Sequence, residues 1–332
     1  MDHRLIAASV VTDLTWSYVQ ERPALAKLYE KGKVSQWNAT TDIDWSPEVE
    51  FGSPILEDRF QALGVTTEGG PMEGRSDEDI DLFRWEFQSW FVSQFMHGEQ
   101  GALVATARLV ETVPDIDSKY YAANQVGDEA RHVEAYAKYL NEKLQHAYPI
   151  SKPLESLLID IMEEKRWDIT YLGMQIMVEG LALAAFGWGN LLFHDPVIKQ
   201  ITEYVMRDEA RHVAFGVLSL QGLYDDVTEA ELREREDFVM EAAQLMRDRF
   251  LLDQVWERVG VDVKVGMEYA ERHPVMAAFR QTLFSKIVPN LNKLGLLTPR
   301  VSEHFDRLGI LELKDQPDST SDLDAEDALQ PA

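Results

Sequence analysis

The stretch that decides the fold is DEARH, residues Asp128–His132, which returns unchanged 80 residues later as Asp208–His212. In each copy a glutamate and a histidine are three positions apart, so their side chains leave the same face of a helix. One helix can thereby offer an oxygen and a nitrogen ligand to one metal ion. The repeat therefore predicts two helices that each carry half of a metal site.

Two further glutamates keep the same spacing. Glu99 precedes the first Glu-x-x-His motif by 30 residues, and Glu179 precedes the second by 30, each amid apolar or small residues. Four helices would then contribute Glu, Glu-x-x-His, Glu and Glu-x-x-His, the constellation of dinuclear carboxylate four-helix bundles. The predicted metal ligands are Glu99, Glu129, His132, Glu179, Glu209 and His212.

The ligand types indicate which metals would bind. Four carboxylates offset the charge of two divalent cations, and two imidazoles leave coordination positions open. Such oxygen-rich sites favour iron or manganese over copper or structural zinc. The alternative, solvated ion pairs with Arg131 and Arg211, does not explain Glu179, which is the single charge between Tyr171 and Phe193.

Composition excludes other classes of function. The 332 residues carry a net charge of −26 and include no cysteine. This excludes disulfides and thiolate sites, and an acidic surface repels nucleic acid and anionic membranes. Met1–Val10 lacks a signal-peptide core, which predicts a cytoplasmic protein. The apolar run from Tyr171 to Phe193 has the length of a membrane span, but a lone central carboxylate favours a helix buried in protein.

Helical signals dominate, and the predicted fold is all-α, a four-helix bundle with flanking helices. Capping residues at Ser76, Asp115 and Asp195 mark helix starts. The predicted long helices cover 77–112, 115–146, 153–193 and 196–225, with others near 3–31, 229–259 and 274–293 and an irregular stretch from 33 to 74. Residues 1–314 are expected to form one domain with its bundle at 77–225, and the acidic stretch 315–332 a disordered tail.

Over residues 77–225 the chain resembles the ferritin-like superfamily of dinuclear carboxylate oxidases and oxygenases. The resemblance implies that Glu129 and Glu209 bridge two metals. It also implies that Asp128 and Asp208 each hydrogen-bond a ligand histidine of the opposite half.

Two other positions are similar to the radical-generating small subunit of ribonucleotide reductase and its oxidase-like cousins. The entry segment, Tyr29–Lys33 followed by Trp37–Asp44, resembles theirs. This resemblance implies that Trp37 approaches a ligand histidine through Asp208; core packing is the alternative. Tyr136, four residues after His132, occupies the position of the radical-storing tyrosine. The alternative is a tyrosine packed in the bundle.

At several positions the sequence differs from the residues that are typical of particular branches of this superfamily. The reductase subunit commonly has aspartate where Glu99 stands, and no tyrosine follows Phe305. The p-aminobenzoate N-oxygenases carry a further histidine ligand, here Val205. A crosslinked oxidase cousin needs a valine and a tyrosine where this chain has Gly101 and Met174, so that crosslink is excluded.

The prediction is therefore a di-iron oxygenase or oxidase that acts on a small apolar or aromatic substrate. In that superfamily two ferrous ions reduce dioxygen to a peroxo-type oxidant, and a mixed manganese–iron pair suits the same ligands. The alternatives are a radical protein with Tyr136 as radical site, and a non-enzymatic ferroxidase or metal-binding protein. The expected walls of the site are Phe95, Ala102, Leu103, Ile176, Ala182, Leu183 and Phe186. The small residues Gly98, Gly101 and Gly180 either leave room for substrate or let helices approach.

Partners follow from the same prediction. No flavin or nicotinamide fingerprint is present, so an external donor, a ferredoxin or a reductase, is expected to supply electrons. Arg272–Ser302 holds five basic residues and no acidic one, which makes it a candidate dock; the alternative is amphipathic helices that balance neighbouring acids. A homodimer is implied by the resemblance alone, and no nucleic acid or membrane partner is expected.

Overall fold

The computed structural model describes residues 5–321, and within this range the regular structure is helical. A single isolated bridge joins Ile55 to Phe193, and the described residues form no β-strand. The helices are α1 (Pro23–Val34), α2 (Glu57–Ala62), α3 (Asp77–Thr112), α4 (Ile116–Tyr139), α5 (Lys152–Glu163), α6 (Trp167–Tyr171), α7 (Glu179–Leu192), α8 (Pro196–Leu220), α9 (Glu229–Asp248), α10 (Asp253–Arg258), α11 (Val263–Arg272), α12 (Pro274–Thr282), α13 (Ile287–Lys293) and α14 (Pro299–Arg307). The predicted all-α fold is confirmed.

Four elements form a four-helix bundle. Helix α3 packs along α4, α7 packs along α8, and α4 contacts α8 across the centre. Helices α9–α14 follow the bundle in the chain, and one continuous apolar core joins them to it. Each Glu-x-x-His motif thus lies on a helix that faces the other.

Helix starts follow the predicted caps. The Ser76 hydroxyl and the Asp79 carboxylate form a reciprocal capping box at the start of α3. The Asp115 side chain accepts the backbone N–H of Ser118 at the start of α4. At α8 the Asp195 carboxylate caps the first turn, where proline occupies the first helical position. Because these side chains satisfy N–H groups that have no partner inside a helix, they set where each helix begins.

The helix predicted over 153–193 is interrupted, which corrects that prediction. Helix α5 ends at Glu163, and the Glu164 carboxylate accepts the backbone N–H groups of Lys165 and Arg166 at 2.7 and 2.8 Å. Such local bonds compete with the helical pattern. The chain resumes as α6 and then winds as a π-helix over Leu172–Val178, directly before the ligand position in α7. Short π segments of this kind recur at functional sites.

Three other predicted helices are shorter than expected. In the described part of the helix predicted near 3–31, which starts at residue 5, the helix begins only at Pro23, since proline lacks an N–H and its ring clashes with the carbonyl four residues earlier. The helix predicted over 229–259 divides at Leu252, whose φ of 61° lies in the left-handed region. Similarly, 274–293 divides into α12 and α13, and the stretch predicted to be irregular contains α2.

The C-terminal stretch packs further than the predicted boundary at 315. Ser319 is buried, and its Oγ accepts a hydrogen bond from Asn290 at 3.0 Å. Lys293 lies 3.1 Å from the carboxylate of Asp318. Residues 322–332 of the predicted tail lie outside the described residues.

The segment Trp167–Leu192 is long and apolar enough to cross a membrane by length and composition. In the most apolar window of this segment, 83% of the residues are buried inside the protein. This burial agrees with the predicted core helix, because the lone carboxylate of Glu179 reaches partners on neighbouring helices instead of lipid. The predicted cytoplasmic localisation stays a prediction.

Candidate metal centre

The six predicted ligands converge at the centre of the bundle. Each is buried, with at most 5% of its surface exposed. Ligand atoms of Glu99, Glu129, His132 and Glu209 lie within 4.8 Å of one another, and so do those of Glu129, Glu179 and His212. The structure thus brings together two adjacent groups that could each hold a metal ion. Their role as ligands stays a prediction.

Two carboxylates lie between the two imidazoles. The Oε1 of Glu129 is 3.1 Å from Nδ1 of His212, and its Oε2 is 3.5 Å from Nδ1 of His132. The Oε1 of Glu209 is 3.2 Å from Nδ1 of His132 and 3.3 Å from Nδ1 of His212. Glu129 and Glu209 therefore occupy the positions that the resemblance implied for bridging ligands.

The far nitrogen of each imidazole contacts an aspartate of the other repeat. His132 Nε2 lies 3.1 Å from Asp208, and His212 Nε2 lies 3.2 Å from Asp128. With Nε2–H donated to the carboxylate, Nδ1 is the atom that remains for a cation. Such outer partners set the tautomer and orientation of ligand rings.

Two adjacent residues before and at the start of Trp37–Asp44, Gln36 and Trp37, each donate a hydrogen bond to one of these aspartates. Trp37 Nε1 donates to Asp208 Oδ2 at 2.8 Å, and the indole stacks on His132 with ring centroids 6.2 Å apart. Gln36 Nε2 donates to Asp128 Oδ1 at 2.9 Å. The predicted approach of Trp37 to a ligand histidine through Asp208 is present. Nothing in the sequence predicted the contact of Gln36 with Asp128, apart from its position next to Trp37.

Arginines within the repeats neutralise the same aspartates. Arg131 pairs with Asp128 and its guanidinium is 3.6 Å from Asp208. Arg211 pairs with Asp208 and is 4.0 Å from Asp128. The two aspartates thus have two guanidinium partners inside the protein, which leaves the glutamates without one.

Several ligand atoms lack a protein partner. Glu129 Oε2, Glu179 Oε2, both carboxylate oxygens of Glu209 and Nδ1 of His212 are buried without a hydrogen bond among the described residues. Buried polar atoms without partners are uncommon and call for an ion or a water. The donor set therefore fits a pair of divalent cations.

The pKa shifts of these carboxylates and imidazoles also favour a site for cations. Burial raises the pKa of Glu99 and of Glu179 well above the usual value, and the negative charge of Glu209 raises both further. Burial by itself would lower the pKa of His132, but Glu99 and Asp208 hold it well above its usual value. Cations bound here would favour the deprotonated carboxylates and the neutral imidazoles, so their binding would release protons.

Sequence reasoning missed two buried amides beside the ligands. Gln125 Nε2 lies 2.9 Å from Glu129 Oε1 and 2.8 Å from Glu179 Oε1, and it also contacts Gln175 at 3.2 Å. The signal that could have found them is spacing: each glutamine stands four residues before a ligand glutamate, on the same helix face. They hold carboxylates from the two halves of the site in one network.

A small cavity of about 20 Å³ adjoins the centre, which is room for about one water molecule. Of the expected walls, Phe95, Ala102, Ala182 and Phe186 line it; Leu103, Ile176 and Leu183 do not. Glu99, Glu179 and Glu209 lie on the same cavity, and so does Arg249. The last residue lies far along the chain, at the end of α9, and carried no sequence signal.

The three glycines separate into two roles. A Cβ at Gly101 would lie 2.5 Å from Leu158, and one at Gly180 would lie 3.1 Å from Ile287, so both positions serve close packing. A Cβ at Gly98 would meet only Arg249, at 4.0 Å. Among the three, only Gly98 leaves open space beside the cavity.

Tyr136 is completely buried, and its hydroxyl lies near the side chain of Thr202 without a well-aligned hydrogen bond to it. Its ring centroid lies 5.8 Å from that of Phe95 and 6.0 Å from that of Phe186, two walls of the cavity. Burial and then the charge of Glu99 raise the pKa of Tyr136 well above its usual value. The structure thus places this phenol beside the centre; a radical role stays a prediction.

The basic stretch Arg272–Ser302 does not present five free charges. Arg280 is buried and donates to the carbonyls of Ala270 and Glu271. Arg300 pairs with Glu236 and Asp237, and Lys293 pairs with Asp318. This pattern favours the alternative in which these side chains balance neighbouring acids. The expected electron donor stays a prediction.

Comparison with known proteins gives similar structures only. No family profile and no curated protein matches the chain. It is similar to an R2-like ligand-binding oxidase, a single-substitution variant with an anaerobically reconstituted Mn/Fe cofactor, at 18% identity and a TM-score of 0.48 over 82% of this chain and 94% of that one. A second R2-like ligand-binding oxidase, with an aerobically reconstituted Mn/Fe cofactor, matches at 17% identity and a TM-score of 0.44 over 90% and 93%. A third, after photoconversion, matches at 18% and 0.43 over 90% and 95%.

At this identity and overlap, the likeness does not indicate the activity or the family of this chain. The functional conclusion therefore depends on the residues of the centre.

Proposed function

We propose that the protein is a dinuclear iron oxidoreductase that uses dioxygen to oxidise or oxygenate a small organic substrate. One observation carries the proposal: Glu129 and Glu209 each lie within 3.5 Å of Nδ1 of both His132 and His212, beside an apolar cavity. Four carboxylates and two imidazoles suit iron. A mixed manganese–iron pair would use the same donors.

The residues of the chain position and tune the centre. When bound, the two ions would supply the redox chemistry with dioxygen. Asp208 and Asp128 fix the imidazoles through their Nε2 atoms. Gln125 donates to carboxylates of both halves, Glu129 and Glu179, and so limits how far they can move.

The cavity walls support an apolar or aromatic substrate. Phe95 and Phe186 lie with ring centroids 4.4 Å apart in an edge-to-face contact and close one side of the cavity. Apolar walls exclude water from the reacting groups, which strengthens the electrostatic interactions inside. Oxygenation and desaturation are both compatible with this cavity.

Electrons would come from an external ferredoxin or reductase. Trp37 stacks on Tyr204 with centroids 4.9 Å apart and on His132 at 6.2 Å. The indole therefore connects the ligand histidine to a half-buried aromatic ring. This arrangement supports electron entry from that side.

The test is the metal content per chain, by elemental analysis of protein from cells supplied with iron and manganese. Wild type is expected to hold about two metal ions, and the double variant Glu129→Ala/Glu209→Ala close to none. Glu203→Ala, an exposed glutamate on the same helix α8, is the matched control and is expected to keep both ions. One iron and one manganese would identify the mixed pair. No bound metal in wild type would overturn the proposal.

Loaded protein would then be reduced and mixed with dioxygen in the presence of candidate substrates. Product that contains oxygen from dioxygen, or a new double bond, supports the oxidoreductase. Oxidation of added iron with no organic product would identify a ferroxidase instead.

A radical-storing protein is the second candidate, because the phenol of Tyr136 is buried beside the centre and its hydroxyl forms no well-aligned hydrogen bond with the described residues. Exposure of the reduced, loaded protein to dioxygen would then produce a sharp tyrosyl absorption. That absorption is expected to be absent in Tyr136→Phe. If the wild type never shows it, this candidate is wrong.

A further inference from the structure

Arg249 is a buried cation without an acidic partner. It stands directly after α9, and only 5% of its surface is exposed. Its guanidinium donates to the backbone carbonyl of Gln94 at 3.2 Å, while its Nε has no hydrogen-bond partner among the described residues. Within residues 5–321 no carboxylate forms a salt bridge with it at 4.0 Å or less. A buried charge in this state is costly, so a missing anion is the expected explanation.

The guanidinium faces the cavity at the metal centre. Arg249 lines this cavity together with three carboxylates, those of Glu99, Glu179 and Glu209, and with Gln94, while apolar residues form the rest of the wall. On the α3 side, a Cβ at Gly98 would find the guanidinium 4.0 Å away as its one neighbour within that distance. The space before Arg249 is therefore open at the position where α3 carries no side chain.

The charges of the site leave this cation in excess. Two divalent ions would balance the four ligand glutamates, and Arg131 and Arg211 balance the outer aspartates. The carboxylate that acts on Arg249, that of Glu99, is one of these four, so with the ions bound the positive charge of Arg249 is not offset. Burial lowers the pKa of Arg249 to about 10, against the charge of Glu99, so the guanidinium stays protonated at neutral pH.

We propose that Arg249 binds the carboxylate of an organic acid whose apolar part lies against Phe95 and Phe186, so that the substrate is a small aliphatic or aromatic carboxylic acid. This inference rests on the proposed function. A planar guanidinium matches a carboxylate through two parallel hydrogen bonds, which fixes the orientation as well as the position of the ligand. The cavity of about 20 Å³ is smaller than such an acid, so side chains of the cavity wall must move when the acid binds. The acid would enter beside Gly98, which is half-buried.

The test compares acids with their neutral amides. Benzoate and benzamide, and hexanoate and hexanamide, would be titrated calorimetrically into iron-loaded protein under anaerobic conditions. Wild type is expected to prefer the acid of at least one pair by about tenfold or more, since a charge-assisted pair is lost with the amide. Arg249→Gln is expected to lose this preference, and Arg249→Lys to keep part of it. Equal binding of acid and amide, or an acid preference unchanged in Arg249→Gln, would overturn the proposal.

A second variant keeps the test valid if Arg249→Gln does not fold. Gly98→Ala retains the arginine but places a methyl group in the space before it, and the contact at 4.0 Å involves no clash. We expect a loss of acid affinity of about fivefold or more, by steric exclusion. Gly127→Ala on α4 is the matched control, because a Cβ there meets nothing within 4 Å; its affinity should equal that of wild type. Unchanged affinity in Gly98→Ala would contradict the assigned position.

Elemental analysis of the same samples separates the two proposals. Two ions per chain in all variants, with no acid preference in wild type, would overturn the role of Arg249 and leave the proposed function intact. No bound metal in wild type would overturn the proposed function directly.

Discussion

Asp208 lies 3.1 Å from Nε2 of His132, so an aspartate of the second repeat orients a ligand of the first. In the reciprocal pair, Asp128 lies 3.2 Å from Nε2 of His212. Each half of the metal centre is therefore completed by the other. Because the two pairs depend on the α4–α8 contact, the site and the bundle should form together.

The first prediction concerns these aspartate–histidine contacts between the two repeats. Asp208→Ala is expected to weaken metal binding about 10- to 100-fold, since a ligand histidine without its outer partner loses orientation and basicity. Competition with a coloured chelator measures the affinity. Asp226→Ala, in an exposed turn, is the control and should bind as wild type does. An affinity in Asp208→Ala equal to that of the control would contradict the role given to this contact.

The second prediction concerns Trp37. Trp37→Phe removes the Nε1 donor to Asp208 but leaves all six ligands, so metal content should stay near two ions while reduction by a small external donor slows. Stopped-flow absorbance at the metal centre measures the rate. Trp45→Phe loses a comparable bond, from Nε1 to the Ala39 carbonyl at 2.8 Å, and serves as the control. If both variants are reduced equally fast, Trp37 does not carry electrons.

The third prediction uses two buried phenols. The hydroxyls of Tyr136 and Tyr121 form no well-aligned hydrogen bond with the described residues, so replacement of either by Phe should change the free energy of unfolding by less than about 1 kcal/mol. Urea denaturation measures it. A loss well above this value would mean that the hydroxyl has a partner, such as an ordered water. If the protein stores a tyrosyl radical, only Tyr136→Phe should abolish the absorption.

The fourth prediction concerns Gly216, which occupies the position in the second repeat that Tyr136 occupies in the first. A Cβ there would lie 2.6 Å from Cβ of Gln175, in the π segment that leads to Glu179. Since this neighbour is close to the backbone and cannot swing away, Gly216→Ala should destabilise the fold by about 1–3 kcal/mol. Denaturation measures the loss, with exposed Gly127→Ala as the control. A stability equal to that of this control would show that the π segment moves to make room for the added methyl group.

The same contact explains an asymmetry that the repeat left open. The two halves match in their ligands, yet one carries a buried phenol where the other carries glycine. In the second half, α8 packs directly against the π segment, and no side chain fits between them. In the first half, α3 continues as an unbroken α-helix, and Tyr136 packs there against Phe95.

Local pattern was sufficient for three of the bundle helices, α3, α4 and α8, and for the convergence of the six candidate ligands. Helix period, capping at Ser76 and Asp195, and the spacing between Glu and His act over a few residues, and their geometry follows from a helix alone. Breaks were harder to predict. The left-handed turn at Leu252 and the bonds of the Glu164 carboxylate compete with helix formation by amounts that sequence periodicity does not record.

The sequence by itself thus determined an all-α protein and the six side chains that converge on one centre, because the repeat places equal donors at equal helical positions. Tertiary structure decided what surrounds them. Gln36 and Trp37 reach the outer aspartates, Gln125 joins two carboxylates, and Arg249 faces the cavity, each through contacts between residues far apart in the chain. Such contacts depend on how whole helices pack, which no local spacing encodes.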